Sequence, residues 1–191
     1  DIALVTRVKN LARLKTLNDE MLMRASTSRQ LGLAENDALE KALSGRSGRL
    51  LVVEDHPRSG ARLLEPLAKV HDTFIEQDPQ RALMMLAEYD FDVALVSLSL
   101  SRSDGLRLCS QLRSLERTRH LPIIMLVEQG EEARLLRGLD MGINDYLIRP
   151  IDKHELLARV RTQIKRKRHS DYLRNRIEET VEQAVTDPLT G

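Results

Sequence analysis

Two adjacent carboxylates, Glu54 and Asp55, close the apolar run that begins at Arg49, and His56 follows them at once. A histidine beside two carboxylates can carry a phosphoryl group or help to hold a metal ion, although the ordinary state of such a residue is a solvated loop side chain. Other reactive side chains are sparse. Cys109, the chain's one cysteine, lies between Leu106 and Leu112 in a helical period, where a buried small hydrophobe is expected, and no Cys and His pair supports a nucleophile. Residues Lys165 to His169 read KRKRH, which as a flat patch would suit nucleic acid. Consecutive helical residues turn by about 100° each, so the run rings its axis and reads as solvated helix. Asp104–Gly105 and Arg149–Pro150 mark two further polar turns after apolar runs.

These groups need elements to position them. From Arg49 onward the runs RLLVVED, DTFIEQ, DVALVSL, PIIMLVE and GINDYLI read as strands, separated by helical periods around Leu63, Leu83, Leu108 and Leu135. Alternation of this kind predicts an α/β domain with a parallel sheet. The strands near Val52, Leu95 and Ile124 are apolar on both faces, as a sheet covered by helices on each side demands. Ligand chemistry in such folds gathers at the carboxyl ends of the strands, where Glu54 and Asp55 stand. A last helix is expected after Pro150, with Asp152 and Glu155 at capping-box spacing. Its apolar set, Leu156, Val160, Ile164, Leu173, Ile177, Val181 and Ala184, spans about 33 residues, or roughly 50 Å of helix, and so must leave the domain.

The N-terminal stretch from Ile2 to about Leu33 reads as one amphipathic helix carrying Leu4, Val8, Leu11, Leu14 and Met21 on a stripe. It also repeats the last helix. Leu4, Arg7, Val8, Lys15, Asp19 and Arg24 fall in register with Leu156, Arg159, Val160, Lys167, Asp171 and Arg176, which predicts that the chain opens inside a truncated copy of the same module. The expected organisation is therefore a helix of a preceding domain over 1–33, a linker over 34–48 ending in SGRSG, an α/β domain over 49–168, and an outgoing helix over 169–191.

Composition narrows the classes. At 191 residues the chain amounts to about 1.3 domains of ordinary size. A net charge of +1 gives no global field to select nucleic acid or an acidic membrane. A single cysteine excludes a disulfide scaffold and agrees with a reducing compartment, so the cytoplasm is expected. No apolar run approaches the roughly 18 residues of a membrane span. Aromatics at 3%, with no Trp, exclude a stacking platform for single strands.

Between Arg49 and about Lys167 the chain resembles the receiver domain of two-component response regulators. The resemblance rests on Glu54 and Asp55 after the first strand, Asp104–Gly105 after the third, GINDYL before the fifth strand's end, and a basic residue before Pro150. It implies a flavodoxin-like (βα)5 fold, doubly wound, with strand order 2-1-3-4-5. In that family the acidic pair holds Mg²⁺, an Asp ending the third strand accepts the phosphoryl group, a Thr or Ser ends the fourth, and a Lys precedes the proline. At those positions this chain has Ser97, Val127 and Arg149. Ser97 cannot form an acyl phosphate, has no visible base to activate it, and withdraws one carboxylate from an oxygen-rich cation site. Val127 donates nothing to a phosphoryl oxygen, and the planar fork of Arg149 does not reproduce an ammonium. Glu54, Asp55, Ser97, Val127, Arg149 and Pro150 are thus expected to form a degenerate pocket without catalytic residues, in which Glu54 and Asp55 are only residual Mg²⁺ candidates. Arg149 is expected to pair with Glu54 or Asp55 in place of the ion, and the resemblance implies a cis peptide before Pro150.

The last 26 letters, RKRHSDYLRNRIEETVEQAVTDPLTG, resemble the signalling helix that leads into a GGDEF diguanylate cyclase domain, whose opening motif matches Asp187 to Gly191. The whole then resembles PleD-type response regulators, built as receiver, degenerate receiver and GGDEF domain. That resemblance implies a non-phosphorylatable adaptor that mediates dimerisation and passes a signal onward, itself non-catalytic and without a cofactor. The parent protein would make cyclic di-GMP from GTP with Mg²⁺. Implied partners are a second copy, its own first receiver and GGDEF domain, and an upstream histidine kinase acting on the first receiver, with no DNA. Interface candidates are Asp140, Asn144 and Arg159, together with Leu173, Ile177 and Val181. The last three form either a two-helix seam or a face packed on the cyclase domain. Two other readings compete: a phosphorylatable receiver, and a DNA-binding regulator using the basic helix, although no helix-turn-helix pattern follows Arg168.

Overall fold

Strands that are apolar on both faces need cover on both, and the chain supplies it by alternating them with helices. The computed structural model describes residues 47–101 and 103–186, with side chains as far as Ile177. In order these form β1 (Arg49–Val53), α1 (Pro57–Ala68), β2 (Asp72–Glu76), α2 (Pro79–Glu88), β3 (Val93–Ser97), α3 (Gly105–Ser114), β4 (Ile123–Val127), α4 (Glu132–Asp140), β5 (Asp145–Ile148) and α5 (Lys153–Thr186). The strands lie in the order β2-β1-β3-β4-β5 and every pairing is parallel. This is the doubly wound, flavodoxin-like arrangement expected. Expectations for residues 1–46 and for the DPLTG motif fall outside the described residues.

Alternate residues of each inner strand enter different cores. Leu50, Val52, Val93, Leu95, Ile124 and Leu126 pack with Leu63 and Leu67 of α1 and Leu156, Val160 and Ile164 of α5. Leu51, Val53, Ala94, Val96, Ile123 and Met125 pack on the other face with Leu86, Leu108, Cys109, Leu112 and Leu135 from α2, α3 and α4. Each fully buried aliphatic side chain contributes about 1.5–3 kcal/mol, so the sheet is the main source of stability.

Side-chain caps set the helix starts. Asp78 accepts from the N–H of Gln80, Asp104 from that of Leu106, and Asp152 from those of His154 and Glu155. The Glu155 carboxylate faces forward and takes Arg159 at 2.7 Å. The peptide between Arg149 and Pro150 is cis.

One expectation is corrected. The stretch GINDYLI does not form a strand from Gly142, because the Gly142 carbonyl and the Asn144 side-chain oxygen accept from Arg113 and serve a turn, so β5 starts at Asp145. The long outgoing helix is as expected: α5 runs unbroken for 34 residues, past the domain bound expected at Arg168. Its last fully buried side chain among those described is Ile164; beyond it Lys167, Asp171 and Arg174 still line a cavity with Leu86, Phe91 and His120, and the side chains from Asn175 to Ile177 are exposed. Among the described residues no helix is long and apolar enough to cross a membrane.

Candidate functional site

The strand order changes direction between β1 and β3, and the crevice at their carboxyl ends is where such sheets place ligands. Glu54 follows β1 there and is 1% exposed. Its carboxylate is fully engaged. One oxygen accepts from the His56 N–H at 2.9 Å, and the other accepts from the Ser59 hydroxyl at 3.1 Å and from the Arg149 guanidinium. Arg149 also donates to the Ser59 oxygen, so Arg149, Ser59 and Glu54 close a three-membered ring of hydrogen bonds. The Arg149 Nε lies 2.9 Å from Glu128 at the solvent rim. The charge-assisted contacts fix the guanidinium plane in a way an ammonium would not.

Asp55 is turned the other way. It accepts from the Ser101 N–H at 2.5 Å and stands 3.0 Å from the His56 ring. Glu54, Asp55 and His56 offer ligand atoms close enough together to share a cation, although His56 is two-thirds exposed. Ser97 ends β3 with its hydroxyl donating to the Ser99 carbonyl at 3.4 Å, and among the described residues no carboxylate or imidazole hydrogen-bonds it. Val127 ends β4 as a buried apolar side chain. No base is placed to activate Ser97, so the crevice has no assembled nucleophile.

Gly105 explains the Asp104–Gly105 pair. A Cβ on Gly105 would lie 2.2 Å from the Ser97 carbonyl oxygen, so the start of α3 can approach the end of β3 only without a side chain. A second network pins the same loop from α4. Arg134 donates to the Leu98 carbonyl at 3.2 Å, to Ser99 at 2.8 Å and to Asp104 at 2.9 Å, and pairs with Glu131. Ser59, Glu128 and Arg134 were not singled out from the sequence. The Glu131 and Arg134 spacing of three on a helix was the one signal available.

The response regulator receiver domain model matches residues 50–161, the span that carries the sheet and the crevice. The chain belongs to the response regulator receiver family. The receiver is 42% identical over all 191 residues to the response regulator PleD of Caulobacter vibrioides, and spans 41% of that protein. It is 34% identical over 129 residues to the transcriptional regulatory protein BaeR of Escherichia coli, covering 66% of this chain and 52% of BaeR. The chain thus spans about half or less of the length of these curated relatives. Among solved structures, the receiver domain of the sensor histidine kinase PA1611 from Pseudomonas aeruginosa, with a magnesium ion in its active site cleft, superposes with a TM-score of 0.58 at 25% identity, covering 62% of this chain and 98% of that one.

The remaining candidates of the receiver fall in different settings. Asp140 is exposed at the end of α4. Asn144 is occupied within the fold, its side-chain oxygen accepting from the Ile123 N–H at 2.9 Å and from Arg113 at 3.0 Å, where it pins the start of β4. Arg159 is likewise engaged, at 2.6 Å from Asp145 and 2.7 Å from Glu155, and these carboxylates help to hold its proton above the usual range against the cost of burial. Leu173 is half-buried and Ile177 is exposed on the projecting part of α5, while the Val181 side chain lies outside those described. The KRKRH run divides around the helix: Lys167 pairs with Asp171, Arg168 faces Asp92, and Lys165, Arg166 and His169 are exposed.

Proposed function

We propose that this receiver accepts no phosphoryl group and serves as an adaptor between neighbouring domains of a longer response regulator. The observation that carries the reading is the Arg149 guanidinium seated on Glu54, with Ser97 in the acceptor position. A Mg²⁺ ion needs several oxygens free to face it. Glu54 is committed to Arg149, Ser59 and the His56 N–H, Asp55 to the Ser101 N–H, and the third-strand carboxylate is replaced by a hydroxyl. This donor set fits an internal arginine and does not fit the ion.

The likeness to PleD extends over residues on both sides of the matched domain. That supports an order of preceding receiver, this adaptor, and a GGDEF diguanylate cyclase domain, in a cytoplasmic protein that makes cyclic di-GMP from GTP with Mg²⁺. A histidine kinase would act on the preceding receiver. Two copies would pair through the face around Asp140 and along α5, with Leu173, Ile177 and Val181 on the seam.

Incubating the 191-residue chain with acetyl phosphate or beryllofluoride and Mg²⁺ tests the pocket. The expected result is no mass gain and no change in amide chemical shifts, and a phosphoryl group on any carboxylate overturns the reading. Sedimentation equilibrium tests the pairing separately. The chain should dimerise and Ile177→Asp should dissociate it, whereas a monomer at every concentration would remove pairing from the proposal.

A further inference from the structure

At the opposite end of the sheet from the crevice, the chain enters β1 through a set of contacts to α5. The Ser47 carbonyl accepts from Arg168 at 3.0 Å. The Gly48 N–H donates to His71 Nδ1 at 3.1 Å, and the Arg49 N–H donates to the Asp92 carboxylate at 2.8 Å. The same Asp92 oxygen lies 3.5 Å from Arg168, so one carboxylate touches both the incoming backbone and the outgoing helix. Gly48 sits so close to α5 that an added Cβ would come within 2.5 Å of Ile164 Cδ1. Arg49 is held in turn between the rings of Phe74 and Phe91, at 5.1 and 5.5 Å, and stands 3.5 Å from Asp72.

Position on α5 gives these contacts their meaning. Ile164 and Arg168 are four residues apart and share a face, and Ile164 is the last fully buried side chain described on α5, ahead of the exposed side chains from Asn175 to Ile177. The incoming segment is therefore fastened to the last turn of α5 that buries a side chain in the domain. About 16 Å of strand separates this junction from the crevice, and the contacts that tie Ser47, Gly48 and Arg49 to His71, Asp92 and Arg168 all lie at the amino ends of the strands.

We propose that the incoming segment at Ser47–Arg49 and the last core-packed turn of α5 at Ile164–Arg168 form one mechanical unit, which passes a displacement of the chain before β1 directly along α5 without using the crevice. Receivers that switch do so through their strand-end pocket. Here the route is a junction at the amino ends of the strands, and it stands whether or not the pocket accepts phosphate.

Hydrogen exchange on the full 191-residue protein, read by mass spectrometry, tests this from both sides. Arg168→Met keeps the aliphatic stem and removes the fork. It should speed exchange of the Gly48 and Arg49 amides about fivefold. Gly48→Ala pushes on Ile164 and should speed exchange across residues 164–172 by a similar factor, and Asp92→Asn reads the same link should Gly48→Ala fail to fold. Peptides over 54–59 and 149–153 should be unchanged, because they lie at the other end of the strands from the junction. Changes confined to the substituted element overturn the proposal, and so do changes that spread equally to the crevice.

Discussion

The Arg149 guanidinium rests on the Glu54 carboxylate, joining residues 95 positions apart and tying the end of β5 to the end of β1 across β3 and β4. Glu54 is buried and Arg149 nearly so. Removing one member strands the other as an uncompensated charge, which costs about 3–5 kcal/mol. Arg149→Met should therefore lower the urea midpoint sharply, and adding Glu54→Gln should recover part of the loss. A double variant no more stable than the single one would deny the pair its structural role.

Gly105→Ala tests the close approach at the end of β3. The obstacle is the Ser97 carbonyl, a backbone atom that cannot swing aside. Overpacking of this kind costs about 1–3 kcal/mol, so the variant should unfold several degrees below the wild type in calorimetry. An unchanged melting temperature would mean that α3 can shift freely against the sheet.

Burial pushes the Cys109 thiol up to about 12, against a weaker opposing pull from Arg113. At pH 8 almost none of it is thiolate, the reactive form. A disulfide reagent should leave the native protein unlabelled and react at the rate of unfolding as urea is added, whereas rapid stoichiometric labelling would place Cys109 at the surface.

His71 links pH to the amino-end junction. Burial, with Arg161 and Arg168 on α5, lowers its pKa, and Asp92 opposes them more weakly. The neutral ring accepts the Gly48 N–H. Between the lowered folded value and the ordinary value of about 6.5, the unfolded chain binds more protons, so this contribution is complete above that window and is lost as pH falls through it. His71→Gln should flatten the rise in urea midpoint as pH climbs towards about 6.5. An identical slope in variant and wild type would assign the pH dependence to other groups.

The sheet was legible because each inner strand carries apolar residues at successive positions, a pattern that only a two-sided cover satisfies, as Leu50 to Val53 show. That Arg149 would meet the acidic pair followed from the resemblance, which put it at the pocket, but only the fold shows that Glu54 and not Asp55 takes it. Ser59 was hidden, because nothing in its own neighbourhood signals that the first turn of α1 aims its hydroxyl at Glu54. Arg134 was hidden for the same reason: its four partners come from three segments that meet only after folding. Asn144 is exposed as a surface candidate should be, but its bonds to the Ile123 N–H and to Arg113 join segments that meet only after folding, so its role at the start of β4 could not be read from the sequence.

The unbroken course of α5 has one more effect. A continuous helix advances by about 100° per residue, so any body carried at its far end faces a direction set by the number of residues past Ile164. Inserting one residue in the projecting stretch would swing that body by more than a quarter turn while leaving every contact in the receiver intact, and inserting seven would nearly restore it. The helix therefore carries orientation as well as distance, and its residue count acts as a phase setting.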